Sequence, residues 1–206
     1  VIIVADHGEY LGEYGQIGHF FGVTEPALRV PFIIYAPGKI TPGLRYNGLA
    51  QTLDIPPTLL ELTGIIYKGS ENFQGKSLIK PYTENIPVRR YSISELTRPT
   101  LPLKILKKFT SDESKYAKFE VRSRSITNGP YQLEEHSDGY VKLWQLGEDV
   151  PKYADVTGLE PQRMKFFKEE LDRIIAGFPT FKWGGNEKPV LTPELRKKLK
   201  ALDYME

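Results

Sequence analysis

The chain has no cysteine, which excludes disulfides and thiolate-held zinc sites and leaves the redox compartment unassigned. It has no apolar run near 18 residues, so no stretch reads as a membrane-spanning helix. Neither charge dominates: 28 Lys and Arg stand against 26 Asp and Glu, a formal net charge of +2. Charge alone therefore points to neither nucleic acid nor a membrane surface as partner. Internal repeats and low-complexity tracts are missing as well. So are an initiating Met and a visible secretory leader: Val1 already sits inside an apolar, β-branched run. A strand needs neighbours to pair with, so the chain reads as the C-terminal part of a longer protein, and a preceding segment would carry any signal peptide.

What is present is concentrated at the front. Val1-Ile2-Ile3-Val4 reads as a buried strand, and Ala5-Asp6-His7-Gly8-Glu9 follows it directly. An Asp and a His thus stand side by side where a strand ends, the end at which open α/β sheets bind their ligands. Gly8 lets the backbone turn sharply or approach another group closely. Carboxylate oxygen beside imidazole nitrogen is a natural metal-ligand pair. The residues alone leave a second reading open, an ordinary turn in which Asp6 caps the next helix and His7 is solvated.

Further along, Glu9–Tyr14 reads as a helix or turn, followed by a loop punctuated by Gly15, Gly18 and Gly22. Pro31–Ala36 reads as a second buried strand. Gln51–Thr63 reads as a helix with Asp54 as N-cap, Pro56 and Pro57 in its first turn, Leu59, Leu60 and Leu62 as its apolar face, and Gly64 as C-cap. Residues 65–90 read as irregular connection, Tyr91–Leu96 as a strand, and 97–116 as a Pro/Lys-rich surface loop with Lys104, Lys107 and Lys108 on a solvated face. From Ala117 the apolar period becomes two. Asn128-Gly129 and Asp138-Gly139 are strong hairpin signals, so three or four antiparallel strands are expected. Helices follow over Pro161–Ala176 and Thr192–Leu202. The order predicts an α/β class: the end of a doubly wound core over residues 1–96, then an α+β subdomain over 97–206 with an antiparallel meander and helices.

Read in order, these segments resemble the C-terminal half of a sulfatase of the alkaline phosphatase superfamily. VIIVADHGEYLGEYG resembles that family's strand and metal-binding turn. GHFFGVTEPALRVPFIIYAPG resembles its next loop and strand, LAQTLDIPPTLLELTGI its Asp-Ile-x-Pro-Thr-Leu-Leu helix, and GKSL at 75–78 the Gly-basic-Ser-Leu that follows. Residues 121–156 resemble its C-terminal sheet, and LTPELRKKLKALDYME the tail of many members. The resemblance implies an alkaline-phosphatase-like core. It implies that Asp6 and His7 are adjacent metal ligands, with calcium foremost and zinc or manganese compatible with the imidazole. His19 falls where many sulfatases place a sulfate-contacting Lys. It is the candidate catalytic and substrate-binding residue, able to donate to the ester oxygens, to protonate the leaving oxygen, or to complete a metal site.

The other polar residues take structural readings. Arg29 reads as an ion-pair residue and Lys39 as a surface lysine. Glu9 reads as a first-turn helix carboxylate in preference to a support for the metal. His136 is expected at a hairpin tip, and Trp144 and Trp183 in packing.

The resemblance also implies a formylglycine nucleophile, made from Cys or Ser in a Cys/Ser-x-Pro-x-Arg motif. This chain has no such motif, and it lacks the family's N-terminal Asp ligands. The expectation is therefore a metal-dependent hydrolase acting on a small-molecule or carbohydrate sulfate ester, completed by an N-terminal half that is missing here. The chain alone should be inactive, and nothing in it sets an oligomeric state. Two alternatives remain open on the sequence: a phosphodiesterase, phosphonate hydrolase or phosphoglycerol transferase of the same superfamily, and a non-catalytic C-terminal module.

Overall fold

The computed structural model of the chain describes residues 1–84, 86–97, 99–147, 153–178 and 192–201. It comprises two compact units, Val1–Ile174 and Ile175–Glu206. The first opens with strand β1 (Ile2–Val4), a hairpin of β2 (Tyr10–Leu11) and β3 (Ile17–Gly18), the single-turn helix α1 (Glu25–Leu28) and strand β4 (Phe32–Ile34). β4 pairs antiparallel with β1, with Ile3 opposite Ile33.

These two strands are not buried on both faces, as their continuous apolar runs suggested. Ile2, Val4, Phe32 and Ile34 turn inward, but Ile3 and Ile33 are 56% and 55% exposed, with Val1 and Tyr35 on the same open side. The period-two alternation of a strand sorts even an all-apolar run into an inner and an outer row.

The helix expected over Glu9–Tyr14 is instead β2 followed by a 3-10 turn, Glu13–Gly15. Gly12 (φ 125°) and Gly15 (φ 68°) take positive φ angles that bend the chain back into β3. Tyr14 also takes a positive φ, 56°, a strained conformation for a residue with a side chain. Aromatic packing offsets that strain. Its ring meets Trp144 edge-on at 4.9 Å and lies 5.5 Å from Tyr153. The hairpin is thereby fastened to the large sheet described below.

Helix α2 (Ile55–Thr63) forms as the sequence predicts, preceded by a 3-10 turn and closed by Gly64 in the left-handed conformation (φ 69°). Lys39 Nζ donates to the Leu62 carbonyl at its C-terminal end, 2.5 Å away. Leu59, assigned to the apolar face, is exposed, and the buried position is Thr58. Asp54 is more than the expected cap: its side chain makes no capping hydrogen bond to α2. It is fully buried and accepts from the backbone N–H of Gln51 (2.8 Å) and of Lys76 (2.9 Å) and from the Arg89 guanidinium. Thr58 Oγ accepts from the Leu78 N–H. A Cβ on Gly75 would lie 1.8 Å from the Leu53 carbonyl oxygen, so only glycine lets this strand of chain close on the start of α2. Asp54, Thr58 and the 75–78 segment thus form one buried clasp. The stretch from 65 to 90 is more ordered than expected, containing a 3-10 turn at Ser70–Asn72 and helix α3 (Ile79–Glu84).

Strand β5 (Ser92–Leu96) leads into helix α4 (Thr100–Phe109), where the sequence suggested a loop. Pro99 and Pro102 prompted that reading, but both stand at the N-terminal end of a helix, where a missing N–H costs nothing. Leu103 is buried and anchors the helix. Lys107 pairs with Glu120 at 2.5 Å.

Four further strands follow: β6 (Ser123–Asn128), β7 (Tyr131–His136), β8 (Val141–Leu146) and β9 (Tyr153–Asp155). All five run antiparallel in the order β5-β6-β7-β8-β9. The Asn-Gly and Asp-Gly turns fall where the sequence places them, with Gly129 and Gly139 at positive φ. The sheet is wider than the expected three or four strands because β5 pairs with β6 in full register, Ile93 opposite Ile126. Ile126, Leu133 and Leu143 form its fully buried row. Helix α5 (Pro161–Ala176) buries Phe167 and Leu171, with Phe166 left exposed. Helix α6 (Pro193–Ala201) belongs to the second unit. Trp183 and Leu202 lie outside the described residues.

A second buried carboxylate ties α5 to the sheet. Glu135 receives Lys168 at 2.7 Å and the Arg124 guanidinium. Burial alone would raise its pKa, but hydrogen bonds from Lys168 and Arg124 hold it below the usual carboxylate range. A carboxyl depressed on folding stabilises the fold above its unfolded value of about 4.3 and loses that contribution as pH falls through the folded value.

Two predictions follow from these buried charges. Asp54→Ala strips the largely buried Arg89 guanidinium of its carboxylate, leaving it the neutral Gln51 Oε1 as acceptor, and should cost about 3–5 kcal/mol in urea denaturation. Glu135→Gln should lower stability at pH 7 by about 2 kcal/mol, since its partners are half-exposed. The difference from the unsubstituted chain should start to shrink near the unfolded value of about 4.3 and disappear only after pH has fallen through the lower folded value, read as urea midpoint against pH.

Candidate active site

The site is built by a backbone contact. Gly8 N–H donates to the Ala27 carbonyl at 2.8 Å, and a Cβ on Gly8 would sit 2.0 Å from the Pro26 carbonyl oxygen. Only glycine permits this approach, which holds the turn after β1 against α1. Tyr10 secures the other side. It is fully buried, with its hydroxyl 2.6 Å from Thr24 Oγ and accepting the Thr24 N–H at 3.1 Å. A Cβ on Gly22 would meet that hydroxyl at 2.4 Å.

Between these anchors the β2–β3 hairpin sets the side chains. Tyr10 pairs with Gly18 and Leu11 with Ile17. Residues 9 and 19 therefore flank the hairpin's open end and face each other. Glu9 Oε1 lies 2.7 Å from His19 Nδ1. The His7 and His19 rings stack at 3.8 Å, tilted by 27°. Phe20 packs on His19 at 4.3 Å, and Phe21 stacks on Phe119 at 4.2 Å, fixing the loop behind it.

The hydrogen bonds orient both imidazoles. A carbonyl oxygen only accepts, so the 3.0 Å contact of His7 Nδ1 with the Gly8 carbonyl makes Nδ1 the protonated nitrogen. The His7 Nε2 lone pair is then free for a cation, and Asp6 Oδ2 stands 3.7 Å from it. A backbone carbonyl behind a ligating imidazole is the support that metal-bound histidines commonly use. Asp6 also takes the His7 N–H on Oδ1 at 3.0 Å and lines a cleft of about 430 Å³ with Val4, Ala5, Thr52 and Ile55. The donor chemistry fits a divalent cation: Asp6 and Glu9 offer carboxylates, and His7 and His19 offer imidazoles. His7, Glu9 and His19 place one donor atom each within 4.8 Å of one another. Two imidazoles suit zinc or manganese better than calcium, which prefers an all-oxygen shell.

All three residues singled out in the sequence thus fall in one region, with Asp6 beside His7 and His7 on His19. Glu9, read as a helical carboxylate, belongs with them. The signal was available in the glycine spacing: Gly12 and Gly15 between Tyr10-Leu11 and Ile17 mark a hairpin, and a hairpin places residue 9 opposite residue 19. Arg29 forms an i,i+4 pair with Glu25 at 3.1 Å, as expected of a structural residue. His136 ends β7 beside the Asp138-Gly139 turn, bonded to Glu134 at 3.1 Å and stacked on Tyr140. Trp144 is buried, with its Nε1 donating to Glu134 at 3.3 Å.

Gly8→Ala should force the Asp6–His7 turn away from α1. A loss of about 2–3 kcal/mol is expected, with loss of the Gly8 amide's slow hydrogen exchange as the local readout.

Residues 1–65 match the family model described as Sulfatase. Arylsulfatase K of Xenopus laevis is 23% identical over 185 residues, 85% of this chain and 31% of that protein. Arylsulfatase K of Homo sapiens is 25% identical over 178 residues, with the same coverage of each chain. An arylsulfatase of Hemicentrotus pulcherrimus is 33% identical over 85 residues, 38% of this chain and 15% of that protein. The chain therefore spans less than a third of the length of the curated relatives it matches. Among solved structures, Ps i-CgsB in complex with k-i-k-neocarrahexaose aligns with a TM-score of 0.57 at 15% identity, over all of this chain and 41% of that one. BT4656 in complex with its substrate D-glucosamine-2-N,6-O-disulfate aligns with a TM-score of 0.57 at 17% identity, over 85% of this chain and 33% of that one. The chain is thus similar to sulfatases over residues 1–65 by family model and to arylsulfatase K over 85% of its length, and its fold is like that of these two solved structures.

Proposed function

We propose that this chain supplies one wall of the active site of a metal-dependent hydrolase that cleaves sulfate esters. The observation that carries the reading is the pairing of Asp6 with a His7 ring whose Nδ1 is already committed to the Gly8 carbonyl. That arrangement offers Asp6 and His7 Nε2 to one divalent cation, with the remaining ligands supplied by the N-terminal part of the protein. A cation there lowers the pKa of a nucleophile and neutralises charge on the ester oxygens. His19 stands against His7 and is the residue we assign to the ester itself, as catalytic and substrate-binding group. The relatives' arylsulfatase descriptions and the sulfated sugar bound by BT4656 support an aryl or carbohydrate sulfate as substrate. The nucleophile, a formylglycine on this reading, lies outside the chain, which we expect to be inactive by itself. Calcium is the cation that the family resemblance favours, whereas the two imidazoles favour zinc or manganese.

The test is turnover of an aryl sulfate and the matching aryl phosphate by the whole protein and by this chain. The whole protein should prefer the sulfate, and Asp6→Ala should lower its kcat/KM at least a hundredfold together with its bound metal. A preference for the phosphate would assign the protein to phosphoryl transfer instead. Turnover by the 206-residue chain alone would defeat the proposal.

A further inference from the structure

The proposed function uses Asp6, His7 and His19, and Glu9 enters the site so far only as a candidate carboxylate donor to a cation. The geometry points to Glu9 as a positioning residue: we infer that it accepts the Nδ1–H of His19 and so reserves His19 Nε2 as the atom that acts at the site. Three observations carry this. The hairpin register, Tyr10 opposite Gly18, makes residues 9 and 19 neighbours whatever their side chains. The contact from Glu9 Oε1 to His19 Nδ1 is 2.7 Å, the length of a charge-assisted hydrogen bond. The ring also packs against His7 at 3.8 Å and Phe20 at 4.3 Å, contacts that oppose its rotation away from Glu9.

The chemistry of the partner fixes the proton. An ionised carboxylate has no hydrogen to give, so the imidazole supplies it and the neutral ring is the Nδ1–H tautomer. Among the described residues, His19 Nε2 has no hydrogen-bond partner. His7 is set the same way by the Gly8 carbonyl. The two stacked rings therefore both spend their Nδ1–H groups on acceptors of the chain and keep their Nε2 atoms for ligands. Glu9 does for His19 what a main-chain carbonyl does for His7, and it does so from a side chain that a single substitution removes.

That Nε2 acts on a sulfate ester rests on the proposed function; the tautomer does not. It is read on the 206-residue chain by long-range 1H–15N correlation of the histidine rings, at a pH where the imidazole is neutral. His19 Nδ1 should resonate in the protonated range and Nε2 in the unprotonated range. In Glu9→Ala the Nδ1 resonance should move to the unprotonated range, with the amide shifts of Tyr10, Leu11, Ile17 and Gly18 retained. An Nε2–H tautomer in the unsubstituted chain overturns the inference without any variant. So does an Nδ1–H tautomer that survives Glu9→Ala. In the whole protein, Glu9→Ala should lower kcat for the aryl sulfate tenfold or more while leaving the metal content unchanged; loss of metal in equal measure would make Glu9 a ligand instead and overturn the assignment. A whole protein that hydrolyses no sulfate ester refutes the proposed function and leaves the tautomer result standing.

Discussion

The close approach of the Gly8 backbone to α1 is the constraint on which the site depends. The Gly8 backbone is pinned to Pro26 and Ala27, which holds the turn after β1 against α1 before the chain enters the hairpin. His7 then has the Gly8 carbonyl within reach, and the hairpin returns His19 to the same place. No side chain makes this contact. A chain that reads Asp-His-Gly therefore carries its positional information in the residue that has no chemistry of its own.

The rest of the first unit is held by charges kept out of water with their partners. Asp54 and Glu135 are each buried, and each is met by an Arg, Arg89 and Arg124 respectively. Removing one member of such a pair costs more than the pair contributes, because the other charge is stranded. The tyrosines behave differently. Burial pushes the Tyr153 hydroxyl up to about 12 and raises those of Tyr10 and Tyr14, so this aromatic cluster stays neutral across the pH range in which the carboxylates titrate. The aromatic contact between hairpin and sheet thus carries no titrating tyrosine at acid or neutral pH, whereas the contact between α5 and the sheet rests on the Glu135 carboxylate.

Much of this was legible in the sequence where a single residue type forces the backbone. Gly64, Asn128-Gly129 and Asp138-Gly139 marked their turns because few other residues tolerate a positive φ. Asp6 and His7 stood out as a carboxylate and an imidazole at a strand end, His19 stood out through the family resemblance, and the structure stacks His7 on His19. The failures have a common cause, a long-range partner overriding a local reading. Asp54 reads as a cap locally, and only Lys76 and Arg89, far along the chain, make it a clasp. Pro99 and Pro102 read as a loop until Leu103 is seen to be buried. Glu9 reads as helical until the glycines on either side of Glu13 and Tyr14 are taken together as a hairpin.

The open side of the β1–β4 ladder has a colloidal consequence. The side chains of Val1, Ile3, Ile33 and Tyr35 form an exposed apolar row along and just beyond two strands of high β propensity. Each strand is short, but six-residue segments of this composition are the kind that stack between chains. No lysine or internal proline interrupts either strand to discourage such pairing. When the 206-residue chain is handled by itself, this row is one apolar surface through which copies could associate, and the near-balanced charge does little to keep them apart. A lysine at Ile3 or Ile33, on the exposed row, is where a gatekeeper would act without touching the inward-facing residues.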